Sequence, residues 1–143
     1  FDTELACYHR ELFASRGNQY PPGIRERIEA GMKISGHEYV EAIRKREIFQ
    51  KDMMELLSCV DAAITIATLS TAPLGLSSTG SPAANVPWSL CGFPAINLPS
   101  GLDSQGLPFG IQIVGRAWTD VTLAAVASWC ENVLAFESKP EIF

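Results

Sequence analysis

Hydrophobic residues recur at helical spacing through the first 57 positions of the chain. This periodicity predicts helices over 1–14, 23–30 and about 35–57. Ser35 and Glu38 form an S-x-x-E capping box, which marks the start of the third helix. The same periodicity gives that helix a buried stripe, made of Tyr39, Ala42, Ile43, Phe49, Met53, Leu56 and Val60.

Arg46 falls on this predicted stripe, four residues after Ala42 and three before Phe49. A buried guanidinium is costly unless a carboxylate or carbonyl oxygens accept its hydrogen bonds. Two interpretations follow, a structural ion pair and a ligand for the carboxylate of a substrate.

The second half of the chain alternates short strand patterns with turns. Three strands are predicted. They are 61–67, which consists mostly of small and β-branched residues, 93–99, which is bounded by prolines, and 109–115, which contains Ile111, Ile113 and Val114. The turn at 101–106 contains two glycines, and it is short enough to join the last two strands as an antiparallel hairpin.

Two helices are predicted in this half. Ser81 and Pro82 are typical of a helix start, and Pro87 is expected to limit or kink that helix. The final helix, over 119–135, is apolar nearly all round, which is typical of a helix that packs on a sheet or on another domain.

These elements predict an α/β fold in which helices over 1–57 precede a sheet and loop region over 61–115 and a C-terminal helix over 119–135. The expected sheet is small and mixed, with one antiparallel hairpin, and helices flank it. About three strands cannot cover such apolar helices. The sequence therefore predicts a neighbouring part of the protein outside these residues.

The composition of the chain argues against several classes of function. The chain has 143 residues, of which 47% are hydrophobic and 19% charged, so it is globular. Its net charge of −5 and the lack of basic clusters argue against a nucleic-acid partner. No apolar run reaches the length of a membrane span, and the first residues resemble no signal peptide, so we expect a cytoplasmic protein. Without an initiator methionine, the chain is interpreted as starting inside a longer gene product.

Neither a metal nor a cofactor is expected. The cysteines at 7, 59, 91 and 130 are far apart and form no C-x-x-C pair, so buried reduced thiols are predicted. His9 and His37 lie near no cysteine pair, and structural or catalytic zinc needs clustered ligands. No glycine-rich nucleotide motif follows a strand.

A serine-rich segment at 75–81 invites a catalytic interpretation. Ser77, Ser78 and Ser81 could expose a nucleophile beside backbone N–H groups that would stabilise an oxyanion. A serine nucleophile also needs a base, and neither histidine has a triad context. The lysines lie on or next to solvated helical faces: Lys33, Lys45 and Lys51. A polar loop is therefore favoured, with a cut-down hydrolase as the alternative.

Two blocks of sequence resemble the amidase-signature family. They are TGSPAANVPWSLCGFPAINLPSG at 79–101 and GLPFGIQIVG at 106–115, followed by a polar turn and a helix. Upstream, a helical segment of that family is similar at Arg27, Gly31, Tyr39, Ala42 and Arg46. The resemblance extends from about residue 7 to residue 131, in the order of the family's C-terminal part.

The resemblance implies hydrolysis of a carboxylic amide through an acyl-enzyme, without a cofactor. The family uses a serine nucleophile, a second serine with a cis peptide bond, and a lysine. Those three residues belong to its N-terminal part. The segment 75–81 superficially resembles the family's catalytic Gly/Ser signature, but no glycine-serine-arginine block follows it. No catalytic residue is therefore assigned to this chain.

The resemblance also implies three substrate-binding positions. Arg27 matches an arginine that helps to hold glutamine in the A subunits of transamidosomes. The aspartate of that site falls near Ser81 or Pro82, which have no carboxylate, so glutamine specificity is in question. Trp88 and Cys91 match pocket-lining positions, with ordinary core residues as the alternative.

The leading hypothesis is the C-terminal fragment of an amidase-type hydrolase, inactive by itself. Its expected partners are the N-terminal part of the same amidase or a second copy, and a small amide substrate in the full enzyme. The alternative is an interaction module without catalysis, which self-associates or binds a partner through helix 119–135 and an exposed sheet edge.

Overall fold

The computed structural model describes residues 1–138. Its helices are α1 (Asp2–Arg16), α2 (Pro22–Lys33), α3 (Gly36–Leu56), α4 (Val86–Cys91) and α5 (Asp120–Leu134). Its strands are β1 (Ala63–Ile66), β2 (Ala95–Leu102) and β3 (Pro108–Val114). The chain divides into two compact units, Phe1–Glu47 and Ile48–Phe143, and the boundary falls within α3.

In the first unit, α1 and α2 approach each other closely at a glycine. A β-carbon added at Gly31 would overlap the backbone carbonyl of Asp2 and would also press on Ala6. Ala6 of α1 and Ile28 of α2 are both buried. The absence of a side chain at Gly31 is therefore what lets the two helices pack at this distance.

The predicted capping box at the start of α3 is confirmed. The backbone N–H of Glu38 donates to the Ser35 hydroxyl at 3.2 Å, and the N–H of Ser35 donates to the Glu38 carboxylate at 2.8 Å. The Ser35 hydroxyl donates to the same carboxylate at 2.7 Å. These hydrogen bonds from Ser35 hold the pKa of Glu38 below its ordinary value.

The prediction of a buried stripe on α3 is wrong, since no residue of this helix is buried. Within the predicted set, Tyr39, Ile43, Phe49 and Met53 are partly buried, whereas Ala42, Arg46, Leu56 and Val60 are exposed. Periodicity identifies the face of a helix that can be covered, but only a packed neighbour covers it. Because Arg46 is exposed, the premise of a buried guanidinium fails.

The sheet has the order β1-β3-β2, with β3 in the centre. The predicted hairpin of β2 and β3 is confirmed, and β1 also pairs with β3 in antiparallel orientation. The α/β class and the small sheet flanked by helices are confirmed. Both pairings within residues 1–138 are antiparallel, so the parallel pair that a mixed sheet requires is not among the described strands.

Neighbouring residues of β3 contribute to two separate cores. Successive side chains of a strand point to opposite faces, so Ile113 and Val114 face different layers. Ile113 packs with Leu98 and with residues of α5 on one face. Val114 packs on the other face, in a cluster with Leu57, Cys91 and Phe93.

One predicted helix start is wrong. The structure has a turn after Pro82, in which the N–H groups of Asn85 and Val86 donate to the Pro82 carbonyl. Helix α4 begins only at Val86, and Pro87 lies in its first turn, where a missing N–H costs nothing. Pro87 therefore lies in the first turn of this helix and does not limit it.

Candidate functional site

Arg27 of α2 forms an ion pair within the first unit. Its Nε and Nη2 atoms donate to Oδ1 of Asp2, at 2.9 and 2.6 Å. Both side chains are more than a third exposed, so solvent screens the pair. The guanidinium is therefore accessible, and Asp2 holds it in one orientation.

Cys91 lies at the end of α4, in the second unit, and its side chain is fully buried. Its backbone carbonyl accepts a hydrogen bond of 2.7 Å from Nε2 of Gln50. Around it pack Leu57, Phe93 and Val114. A side chain without accessible surface cannot touch a ligand in this conformation, so the burial favours the core interpretation of Cys91.

Trp88 is one turn earlier on α4, and it is partly buried against the same cluster. Its indole Nε1 is buried without a hydrogen-bond partner among the described residues. A buried indole N–H normally has an acceptor, so an acceptor from elsewhere would stabilise this position. The structure thus places Trp88 and Cys91 together, while Arg27 belongs to the other unit.

Sequence reasoning missed a series of hydrogen-bonded amides that includes Asn85, the residue before α4. Nδ2 of Asn85 donates to the carbonyl of Ala67 at 3.4 Å, and Nε2 of Gln112 donates to Oδ1 of Asn85 at 2.7 Å. The first bond joins the two ends of the segment 67–85. The signal in the sequence is Gln112 itself, a polar residue in the otherwise apolar run Ile111–Val114.

The Ala67 carbonyl can only accept a hydrogen bond, and this fixes the direction of the hydrogen bonds between the amides. Asn85 must therefore present its NH₂ group to Ala67 and its oxygen to Gln112, and Gln112 must present its NH₂ group in turn. The Oε1 atom of Gln112 is then the free end. That oxygen is buried without a partner among residues 1–138, and only 7% of the Gln112 surface is exposed.

Two of the three serine hydroxyls in segment 75–81 accept hydrogen bonds from nearby backbone N–H groups. The Ser78 hydroxyl accepts from the N–H of Gly80 at 3.1 Å, and the Ser81 hydroxyl accepts from the N–H of Ala83 at 3.3 Å. Within the described residues, no hydrogen bond joins a serine of this segment to a histidine or lysine. His9 instead bonds to the Tyr20 hydroxyl, and Lys45 pairs with Glu41.

Asp103 joins the beginning of the segment 67–85 to the turn between β2 and β3. Its Oδ2 atom accepts from the Thr71 hydroxyl at 2.7 Å, and its Oδ1 atom accepts from the N–H groups of Gln105 and Leu107. The bond from Thr71 is the main reason that the pKa of Asp103 is below its ordinary value, and the backbone donors add to it.

A surface depression of about 230 Å³ lies near the start of α5, and it is lined by Gly92, Phe93, Pro94, Trp118 and Asp120. Trp118 is 96% exposed, and its φ of 65° is uncommon for a residue with a large side chain. The carbonyl of Arg116 accepts from both the N–H and the hydroxyl of Thr119, which holds this turn in place.

The described part of the chain has neither a cluster of metal ligands nor a membrane-spanning helix. Residues 1–138 contain no group of three or more His, Cys, Asp or Glu side chains that could hold a metal ion. None of the helices in that range combines the length and hydropathy that a bilayer crossing requires.

The sequence model of the Amidase family matches residues 3–124. The A subunit of the glutamyl-tRNA(Gln) amidotransferase from Granulibacter bethesdensis is 31% identical over 140 residues, which cover 90% of this chain and 28% of that protein. The fatty acid amide hydrolase of Medicago truncatula is 37% identical over 147 residues, which cover 94% of this chain and 24% of that protein. The chain thus spans about a quarter of the length of these relatives.

A solved structure of an amidase has the same fold over this segment. It superposes with a TM-score of 0.79 and 27% sequence identity, over 92% of this chain and 33% of the amidase chain. About two thirds of that amidase therefore lies outside the segment that this fold represents.

Proposed function

Because this chain belongs to the Amidase family, we propose that residues 1–143 are the C-terminal part of a carboxylic amide hydrolase. In the full enzyme, a serine attacks the amide carbonyl, a second serine and a lysine move the proton to the leaving amine, and N–H groups hold the oxyanion. The family match over residues 3–124 is the observation on which this proposal depends.

The catalytic serines and lysine belong, in this proposal, to polypeptide outside residues 1–143. Three contacts support it. The hydroxyls of Ser78 and Ser81 accept hydrogen bonds from nearby N–H groups, and the Lys45 ammonium pairs with Glu41. A serine without a base in contact is a weak nucleophile at neutral pH. Residues 1–143 alone are therefore expected to be inactive.

The three positions that the resemblance selects would contribute to substrate binding in different ways. Arg27 is accessible and held by Asp2, so it could bind a carboxylate or amide oxygen of the substrate. Trp88 is only partly buried, so the exposed part of its ring could touch the substrate, whereas its buried Nε1 could not in this conformation. Cys91 would act only through the core beneath Trp88.

The proposed substrate of the full enzyme is a small amide. The proposed partner of residues 1–143 is the N-terminal part of the same amidase or a second copy, and the proposed location is the cytoplasm.

The test compares the purified chain 1–143 with the longer polypeptide that the same gene encodes. A fluorophosphonate probe is expected to label a serine of the longer protein and none of Ser77, Ser78 and Ser81. Hydrolysis of a simple aryl amide is expected only from the longer protein. Turnover by residues 1–143 alone, abolished by Ser77→Ala, Ser78→Ala or Ser81→Ala, would refute the proposal and support the cut-down hydrolase.

A second candidate, the interaction module, is favoured by the surface of α5. Val121, Trp129 and Val133 are largely exposed on this helix, and isolated globular domains seldom expose so many large apolar residues on one helix. Sedimentation velocity distinguishes the two candidates. Stable dimers of chain 1–143 that persist within a longer protein without amide hydrolysis would favour the module.

A further inference from the structure

Helix α4 is too short to hold its conformation by itself. An isolated helix of fewer than about 12 residues is marginal in water, because its first turn fixes several residues for a single hydrogen bond. Helix α4 has six residues, and among the described residues its N-cap, Asn85, makes no side-chain capping bond to it. The geometry of α4 must therefore come from its contacts with other elements.

The C-terminal end of α4 is bound by a side chain of α3. Nε2 of Gln50 donates to the backbone carbonyl of Cys91 at 2.7 Å. The last carbonyls of a helix have no partner N–H within the helix, and here one of them receives a donor from 41 residues away in sequence. Gly92 follows in the left-handed region and ends the helix. Gln50 thus fixes the point at which α4 stops.

The N-terminal end of α4 is bound by the sheet. Oδ1 of Asn85 accepts from Nε2 of Gln112 on β3 at 2.7 Å, and Nδ2 of Asn85 donates to the carbonyl of Ala67 at 3.4 Å. The backbone carbonyl of Asn85 accepts from the N–H of Ser89 in the helix. A displacement of Asn85 would therefore move α4 with it.

Trp88 lies midway between these two attachments, three residues after Asn85 and three before Cys91. Its ring packs against the cluster that contains Cys91 and Val114, and the remainder of the ring is exposed. A tryptophan side chain has only two rotatable bonds, so the place of that exposed part follows the orientation of α4.

We propose that Gln50 and Gln112 are positioning residues for substrate binding, which hold the Trp88 ring in place by fixing the two ends of α4. Neither glutamine touches the substrate in this proposal. Gln112 is only 7% exposed, and Gln50 directs its amide to a carbonyl of the protein. The inference rests on the proposed function, because it assumes that the Trp88 ring touches the substrate of the full enzyme.

Steady-state kinetics of the longer gene product test this role. Gln50→Met and Gln112→Leu remove the two amides and are each expected to raise the KM for an aryl amide by at least about fivefold, with little change in kcat. Trp88→Ala should raise KM at least as much. Gln105→Met, at an exposed position of the turn, is the matched control and should leave KM unaltered.

A fluorophosphonate probe counts the active enzyme in each preparation. A variant that only folded less completely would have fewer labelled molecules and an unaltered KM, which separates positioning from a loss of stability. An unaltered KM in Gln50→Met, in Gln112→Leu or in Trp88→Ala would overturn the proposal.

A fluorine label on the tryptophans gives a readout that does not depend on activity. In the longer protein grown with 5-fluorotryptophan, the Trp88 resonance is identified by its loss in Trp88→Phe. We expect this resonance to shift or broaden in Gln50→Met and Gln112→Leu and to stay unchanged in Gln105→Met. The resonance of Trp129 on α5 checks that the rest of the fold is kept. An unchanged Trp88 resonance in either glutamine variant would contradict the proposal.

These readouts also separate this inference from the proposed function. An altered Trp88 resonance in a longer protein that hydrolyses no amide would support the attachment of Trp88 through Gln50 and Gln112 and refute the amide hydrolase. Amide hydrolysis in which both glutamine variants keep an unaltered KM would support the hydrolase and refute the positioning role.

Discussion

The side chain of Gln112 donates a hydrogen bond of 2.7 Å to Oδ1 of Asn85, which ties the central strand of the sheet to the end of the serine-rich segment. Asn85 in turn donates to the carbonyl of Ala67, where that segment begins. One amide therefore holds both ends of a loop that has no helix or strand of its own.

Asn85→Ala is expected to lower the free energy of unfolding by about 1–3 kcal/mol, because the buried amide of Gln112 would lose its acceptor. Urea denaturation measures the change. Asn97→Ala, which removes an exposed amide from the same sheet, is the matched control and should change that free energy by less than about 0.5 kcal/mol. Adding Gln112→Leu to Asn85→Ala should recover part of the loss, since the amide of Gln112 is then no longer buried without its acceptor. Equal effects of Asn85→Ala and Asn97→Ala would contradict this account.

Gly31→Ala is expected to destabilise the first unit by about 1–3 kcal/mol, because the new methyl group would overlap the carbonyl of Asp2 and force α1 away from α2. Gly23→Ala is the matched control on the same helix, since a β-carbon there meets nothing within 4 Å. Its higher helix propensity should leave stability unchanged or raise it by about 0.5–1 kcal/mol. Limited proteolysis of α1 is the measurement. Protection of α1 in Gly31→Ala would refute the close approach.

Asp103 is expected to make stability depend on pH at the acid end. Because its pKa is lower in the folded than in the unfolded chain, the carboxylate stabilises the fold above the ordinary pKa of an aspartate, and that contribution is lost as the pH falls through the folded pKa. Asp103→Asn should therefore lower the melting temperature near pH 7, and this loss should shrink as the pH falls through the folded pKa of Asp103. Melting curves across this range, compared with those of Asp61→Asn at an exposed site, test the sign. A difference that grows toward low pH would contradict it.

Arg27→Ala is expected to raise the KM for an amide substrate by roughly tenfold or more in the longer enzyme, with little change in kcat, if the guanidinium binds the substrate in the ground state. Asp2→Ala removes the ion-pair partner and leaves the guanidinium in place, so it should change KM much less. Steady-state kinetics of both variants distinguish the two cases. An equal rise in KM would assign Arg27 a structural role through its ion pair.

Several features of the fold were predictable because they depend on neighbours in sequence. The capping box of Ser35 and Glu38 needs only three residues of spacing, and the structure contains its hydrogen bonds. The hairpin of β2 and β3 was predictable for the same reason, since a short turn joins two apolar strands. The start of α4 was not, because the signal of Ser81 and Pro82 fits a turn as well as it fits a helix.

Burial could not be predicted from periodicity alone. The pattern of α3 identifies its apolar face, yet no residue of that helix is buried within the described chain. The candidate site shows the same limit. The resemblance selected Trp88 and Cys91. Only packing decided that the Trp88 N–H has no hydrogen-bond partner among residues 1–138 and that the Cys91 side chain has no accessible surface.

The sequence by itself determined the family, the order of the elements and the local signals at their ends, because these follow from residues close together along the chain or from blocks shared with relatives. Only the tertiary structure decided that Gly31 meets Asp2, that Gln112 is left with a buried acceptor, and that Gln50 donates to the carbonyl of Cys91. Each of these relationships joins segments far apart in sequence. Their energies arise from overlap, desolvation and hydrogen-bond direction, which exist only once the chain has folded.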